Sequence, residues 1–281
     1  MQPYDMPKGA GTYNPASFFT ALGPEPGAVC FTEPSRRPRD GRYGRNPHRL
    51  EKHYQFQVVI KPSPDDILDL YFQSLVAIGI VPREHDLRLE EDNWESPTLG
   101  AHGLGWQVLL DGIEITQFTY FQTMGGIECH PVSAEITYGL ERIAMYLNQV
   151  DSIYNIPWND CTMYGAVRLR DEYEHTTYDL EQADVEMHRR FFGDYEAEAK
   201  RLTGKGLYSP ALDQLMLAAH SFNLLDARGA LGVAERADYM GRIRSLARQI
   251  ALGYVRLRKE MGFPGCGETV VAGWEWLEEQ A

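Results

Sequence analysis

An alternating run, Tyr54-Gln55-Phe56-Gln57-Val58-Val59-Ile60, follows an arginine-rich stretch that is itself preceded by the apolar segment Ala28-Val29-Cys30-Phe31. Period-two alternation on one side and a short apolar run on the other predict two strands joined by a loop. Between them lie Arg36, Arg37, Arg39, Arg42, Arg45, Arg49 and Lys52, with turn formers at Pro38, Asp40-Gly41 and Asn46-Pro47. Strands hold side chains in fixed directions, and guanidinium forks match phosphate oxygens in pairs while keeping their charge on partial burial. The unit from Glu33 to Ile60 therefore reads as a polyphosphate clamp. The plain alternative is a solvated surface loop, which most charge runs are, but such loops rarely sit between strands this apolar.

The clamp is set in an acidic chain. Over 281 residues the formal net charge is −13, with 43% hydrophobic and 24% charged residues. That is an ordinary globular composition, long enough for one large domain or a catalytic domain with a smaller partner. A net negative surface argues against broad nucleic-acid binding and leaves only a local positive site for it. No apolar run reaches the roughly eighteen residues that cross a bilayer, and the N-terminal stretch lacks the apolar segment of a signal peptide. Cys30, Cys129, Cys161 and Cys266 are widely spaced. They suggest reduced cytoplasmic thiols, with neither a zinc site nor a disulfide framework indicated.

Beyond the clamp the pattern divides in two. Met1–Pro15 is rich in Gly and Pro and reads as irregular, and Ala16–Leu22 as a short helix. Ser63 as N-cap, Pro64 at the first helical position and Asp65-Asp66 in the first turn predict a helix through Ile67, Leu68, Leu70, Tyr71, Leu75 and Val76, stopping near Gly79. Strands are expected over Asp86–Glu91, Gly105–Leu110, Glu114–Phe121 and Ser133–Tyr138, with Asp111-Gly112 as a hairpin turn. Gly139–Val150 reads as a helix with Leu140, Ile143, Ala144 and Leu147 on one face. From Asp184 the sequence is helical in pattern over Asp184–Leu202, Ser209–Leu225 and Val233–Met261. The expectation is an α+β fold: an antiparallel sheet flanked by helices over residues 1–165, then a helical bundle with linker and a Gly/Glu/Trp tail over 166–281.

Candidate chemistry collects on the strands. Alternation along Glu114–Tyr120 places Glu114, Thr116, Phe118 and Tyr120 on one face and Ile115, Gln117 and Thr119 on the other. Carboxylates among strands in an arginine-rich site suit Mg²⁺ beside phosphates, although singly each is more often a rim charge. Gln55, Gln57 and Gln117, with Trp94 near in sequence, suggest a polar pocket with an aromatic wall; a satisfied hydrogen-bond network is the alternative. In Glu135-Ile136-Thr137-Tyr138-Gly139-Leu140-Glu141-Arg142 a strand enters a helix through one glycine, so Arg142 projects from the first turn, near the sheet. The run Gly100-Ala101-His102-Gly103-Leu104-Gly105 leads into a strand, where a dinucleotide fold needs a helix, and no P-loop pattern occurs.

The order of these units resembles the class II aminoacyl-tRNA synthetases, and the wording resembles the α subunits of bacterial glycyl-tRNA synthetases. The matching phrases include Leu22–Pro26, Pro34–Pro38, Asp40–Gly44, Tyr54–Pro64, Glu91–Glu95, Thr116–Gln122, Glu135–Arg142 and His220–Arg228. The resemblance spans nearly the whole chain, from Gln2 to about Cys266, and implies ATP-dependent ligation of glycine to tRNA(Gly) through a glycyl-adenylate, with ATP and Mg²⁺ required. It implies that Arg36 or Arg37 grips the ATP α-phosphate and that Lys52 and Phe56 take the second-strand positions of the ATP site. Arg142 would bind the far phosphates. Glu114 would hold Mg²⁺, with Glu91 a second candidate. Gln55, Gln57, Trp94, Gln117, Thr119 and Glu135 would form the glycine pocket, Glu135 pairing with the ammonium. The implied partners are a β subunit and the tRNA acceptor end, with two α chains in an α2β2 assembly, in the cytoplasm and with no membrane.

Two departures stand out. Relatives carry a further helix-bearing segment ahead of the Gln2-Pro3 equivalent, near the dimer interface, which bears on dimer stability; a mis-set start codon is the plain alternative. Arg45 stands at a more acidic position of the family, adding charge to the loop expected to meet tRNA. A ligase that passes its adenylate to another acceptor, or an inactive regulatory paralogue, are the competing readings. Joint retention of Arg36, Arg37, Glu114 and Arg142 weighs against the second, because a cluster of like charges has a standing cost.

Overall fold

The computed structural model describes residues 6–266. The expectations for Met1–Asp5 and for the tail beyond Cys266 lie outside the described residues.

The expected strand pair is present as β1 (Gly27–Arg36) and β2 (Lys52–Lys61), antiparallel with Glu33 opposite Gln55 and Ser35 opposite His53. They join β3 (Leu87–Glu91), β4 (Trp94–Ser96), β5 (Ala101–Leu110), β6 (Ile113–Met124), β7 (Ile127–Glu128) and β8 (Ala134–Gly139) in one sheet. Its order is β1-β2-β8-β6-β5-β3, with β4 paired to β5 and β7 to β6, every pairing antiparallel. The Asp111-Gly112 turn has φ of 49° and 86° at its two residues, the left-handed pair that matches strand twist in a tight hairpin.

Helices α1 (Pro15–Ala21), α2 (Ile67–Ala77) and α3 (Leu140–Leu147) accompany the sheet. A small hairpin, β9 (Pro157–Asn159) and β10 (Thr162–Met163), leads into α4 (Tyr164–Thr177) and a π-helical turn, Tyr178–Gln182. The remaining helices are α5 (Val185–Thr203), α6 (Tyr208–Ala227) and α7 (Val233–Glu260).

Strand alternation assigns the two faces of the sheet different work. Phe118, Ala134, Ile136 and Tyr138 pack with Ile67, Tyr71 and Leu75 of α2 and Ile143 of α3 into an apolar back layer. At roughly 1.5–3 kcal/mol for each buried large side chain, that layer anchors the sheet. A second core joins Phe18 of α1 and Phe121 of β6 to Phe192, Phe222, Ile243 and Ile250 of the last three helices. The helices therefore pack on the sheet's far end through a continuous apolar contact, leaving the polar front face beside them.

Three local expectations fail for identifiable reasons. Ser63 does not cap α2: its N–H donates to the Val132 carbonyl at 2.9 Å, which keeps it extended, and the helix begins at Ile67 after a turn closed on Pro64. On α3 Leu147 is exposed and Glu141 is buried, because this short helix is covered from the β2 and α4 sides where one apolar face was expected. On β6 the face assignment breaks at a bulge. Leu109 pairs with Glu114 and Val108 with Thr116, leaving Ile115 as the extra residue. Ile115 joins Phe118 in the back layer, so Glu114 turns to the front with Gln117, opposite to simple alternation.

Candidate active site

The front face of the sheet, the N-terminal segment and α6 enclose a cavity of about 540 Å³, within the usual range for small-molecule sites. Of the residues singled out above, it is lined by Arg36, Arg37, Gln55, Trp94, Glu114, Gln117, Glu135 and Arg142. Gln57 and Thr119 do not line it but are buried on the same sheet, Thr119 directly opposite Glu135 in the register. Lys52, Phe56 and Glu91 do not line it. Phe56 faces the apolar back layer beside Tyr138, because it alternates with Gln55 and Gln57. Glu91 is exposed on β3, accepting from Asn93 at 3.3 Å.

One end of the cavity is cationic. Arg142, on the first turn of α3, donates to both the carbonyl and the carboxylate of Glu114 at 2.8 Å. The bulge that turns Glu114 forward makes this contact. Arg37 reaches in from the end of β1, its Nε–H donating to the Gly9 carbonyl at 2.7 Å. Desolvation chiefly, then the like charge of Arg142, lowers its pKa from the ordinary guanidinium value, against opposing Asp40, Tyr13 and Glu114. His53 lines the same cavity. Burial first, and then Arg37, Arg142 and Arg49, push its pKa down to about 3, so its ring is neutral at physiological pH.

Arg36 is held differently. Its Nη2 lies 3.1 Å from Nε2 of His175 on α4. Behind it Glu51 and Asp179 form a buried acidic pair whose pKa values both rise, chiefly by desolvation.

The other end is dry. Glu135 is only 2% exposed, and desolvation pushes it up to about 8 against the hydrogen bonds of Thr12 and Gln57. Thr12 donates to its two oxygens at 3.0 and 2.8 Å. Gln55 Oε1 accepts from Ser35 at 2.7 Å and from the Gly11 N–H at 3.3 Å, and Gln57 Oε1 from Thr137 at 2.9 Å. Gln117 donates to the Asp92 carbonyl at 3.0 Å. Trp94 stands edge-on to Phe121 with ring centroids 5.7 Å apart. Such fixed amides and one buried carboxylate suit a small polar molecule carrying a cation.

Glu141, the neighbour of Arg142, also lines the cavity but is tied to the scaffold. Its carboxylate accepts from the Tyr54 N–H at 2.9 and 3.0 Å and from the Tyr164 hydroxyl at 3.3 Å. It is thus no surface partner of Arg142.

Sequence reasoning missed Thr12, His53, Asp92 and Asn223, all on the cavity wall. His53 alternates in phase with Gln55, a signal that was available. Asn223 lies in the phrase His220–Arg228, which was singled out without a site role. Among the described residues no group of three His, Cys, Asp or Glu side chains could hold a metal ion by itself. Glu114 alone fits a hard cation whose other oxygen ligands come from a phosphate. Among the same residues no helix is long and apolar enough to cross a membrane.

A family model described as glycyl-tRNA synthetase alpha subunit matches residues 1–259. Among solved structures, two of pyrrolysyl-tRNA synthetase from Desulfitobacterium hafniense are similar at 14% identity and a TM-score of 0.33. The match takes in 49% of this chain and 48% and 47% of those chains, so it spans about half the length of each.

Proposed function

Since the chain belongs to the glycyl-tRNA synthetase alpha subunit family, we propose that its cavity joins glycine to ATP as glycyl-adenylate and passes the glycyl group to tRNA. The observation that carries this reading is a cavity with an arginine-lined end and a dry carboxylate end on one rigid sheet. In the first step a carboxylate oxygen of glycine attacks the α-phosphorus and pyrophosphate leaves. Arg37, its guanidinium open to the cavity, takes the α-phosphate, and Arg142 the far phosphates. Arg36, bonded to His175, supports that wall. Glu114 would hold Mg²⁺, which would supply neutralisation of the triphosphate charge when bound. For that, Arg142 exchanges its bond to Glu114 for a phosphate.

Glu135 pairs with the substrate ammonium, which restores its ionised form. Gln55, Gln57, Gln117, Thr119 and Trp94 complete the pocket. In the second step a hydroxyl of the terminal adenosine attacks the glycyl carbonyl carbon, AMP leaves, and the hydroxyl proton passes to solvent. Neither step needs a side-chain nucleophile; positioning and electrostatics suffice. Lys52, Phe56 and Glu91 make no substrate contact in this reading.

The catalytic domain takes residues 1–165 and the helical domain with its linker follows, the boundary falling just inside α4. The acidic surface leaves most tRNA contacts to a β subunit, two α chains assemble with it as α2β2, and the enzyme works in the cytoplasm. Amino-acid-dependent ATP–pyrophosphate exchange by the full chain with its β partner tests the reading. Glycine should support exchange. Exchange with alanine or serine but not glycine would sink the assignment.

A further inference from the structure

Glu135 is met across the cavity by a residue of the N-terminal segment. Thr12 sits in a short turn, Gly11–Tyr13, and like Glu135 is 2% exposed. We propose that Thr12 sets the amino-acid specificity of the site: its hydroxyl tethers the Gly11–Tyr13 turn to Glu135 and so holds down the wall that leaves the pocket no space for a substrate side chain. This rests on the glycine reading given above.

Three observations support it. The turn is clasped on both sides of Thr12, by Gly11 N–H on Gln55 and by the Tyr13 hydroxyl 2.7 Å from Ser96 Oγ. It already sits as close as the chain permits, since a Cβ on Gly11 would come within 2.5 Å of Gln57 Oε1. The tether also leaves room for a ligand. A carboxylate has about four acceptor sites, and one hydroxyl proton shared between two oxygens leaves most of them for an ammonium. Opposite Glu135 in the sheet register, Thr119 Oγ1 is buried without a hydrogen-bond partner, a polar atom still to be satisfied. An α-methyl group on the substrate would have to push the turn outward, breaking the Thr12–Glu135 bond and uncovering a desolvated carboxylate.

Thr12 lines the pocket but acts on the substrate through Glu135, so it is a positioning residue. Its test is the choice between glycine and alanine, which a merely structural defect would not move. Thr12→Val keeps the volume and deletes the tether. In ATP–pyrophosphate exchange by the full chain with its β partner, alanine-dependent exchange should rise at least about 10-fold over wild type. The KM for glycine should rise more than kcat falls. Thr12→Ser keeps the tether and should restore wild-type discrimination. Alanine exchange at wild-type background in Thr12→Val overturns the proposal, and so does Thr12→Ser if it admits alanine as readily as Thr12→Val. A wild-type enzyme without glycine exchange instead fails the glycine reading itself, and this proposal with it.

Discussion

At one end of the cavity Arg142 and Glu114 meet at 2.8 Å with side chains 28% and 38% exposed, whereas at the other Glu135 is partnered by the Thr12 hydroxyl and the Gln57 amide and is almost wholly buried. The open end keeps its charges by pairing them within reach of water, where each pair is worth little and is easily exchanged. The dry end keeps a carboxyl without a cation, and desolvation raises its pKa until a proton or a ligand takes that place. The same sheet thus presents a replaceable counter-charge at one end and an unmet demand for a small cation at the other. Polyphosphate and ammonium, the two charged groups of the substrates, differ in that sense.

The comparison can be broken most sharply at the open end. Arg142→Ala should lower glycine-dependent exchange by about 10³-fold or more, the scale of an arginine that stabilises a transferring phosphoryl group. Its half-open ion pair contributes about 1 kcal/mol or less to stability, so Tm should shift by no more than about 4 °C. A large loss of Tm would mean that Arg142 is structural.

Glu135→Gln probes the dry end. Removing one partner of a buried charge pair costs about 3–5 kcal/mol. The kcat/KM for glycine should therefore fall by about 100-fold or more, with the KM for ATP nearly unchanged. An effect on ATP equal to that on glycine would erase the division between the ends.

The pH dependence of stability follows from the same carboxyl. Glu135 holds its proton to about 8 in the folded chain against 4.5 as its ordinary value, so between those values the folded state binds more protons than the unfolded state. Its contribution is fully present below pH 4.5 and is lost as pH rises through about 8, at roughly 1.4 kcal/mol for each pH unit crossed. Glu141, pushed up to about 7 by desolvation, adds in the same direction. Chemical denaturation across pH 5–8 should show stability falling in the wild type and a flatter slope in Glu135→Gln. A slope unchanged by that substitution would place the titration elsewhere.

The smallest effect belongs to Glu114→Gln. Stability should change by less than about 1 kcal/mol, while the Mg²⁺ concentration needed for half-maximal exchange should rise several-fold. No change in the Mg²⁺ requirement would free Glu114 from that role.

How much of this was legible in the sequence depends on how local the signal is. The alternation of β2, the Asp111-Gly112 turn and the Ile243/Leu246/Ile250 stripe of α7 are fixed by nearest neighbours, and each appears where its period puts it. The facing of Glu114 was not legible, because a one-residue bulge at Ile115 reverses strand parity without any mark in the composition. α4 has an exposed apolar set, Val167, Leu169 and Tyr173, which blurs the helical period and hid the element. Thr12 was unreadable for another reason: it lies 123 positions from Glu135, and only the folded sheet brings them together.

The most direct test is a single-turnover quench of the full chain and its β partner with ATP labelled at the α-phosphate and glycine, before tRNA is added. Pyrophosphate release should be matched by one adenylate carrying both AMP and glycine, and that glycine should be transferred when tRNA is supplied. Release of ADP and phosphate, or an adenylate formed with alanine in preference to glycine, would contradict the proposed function.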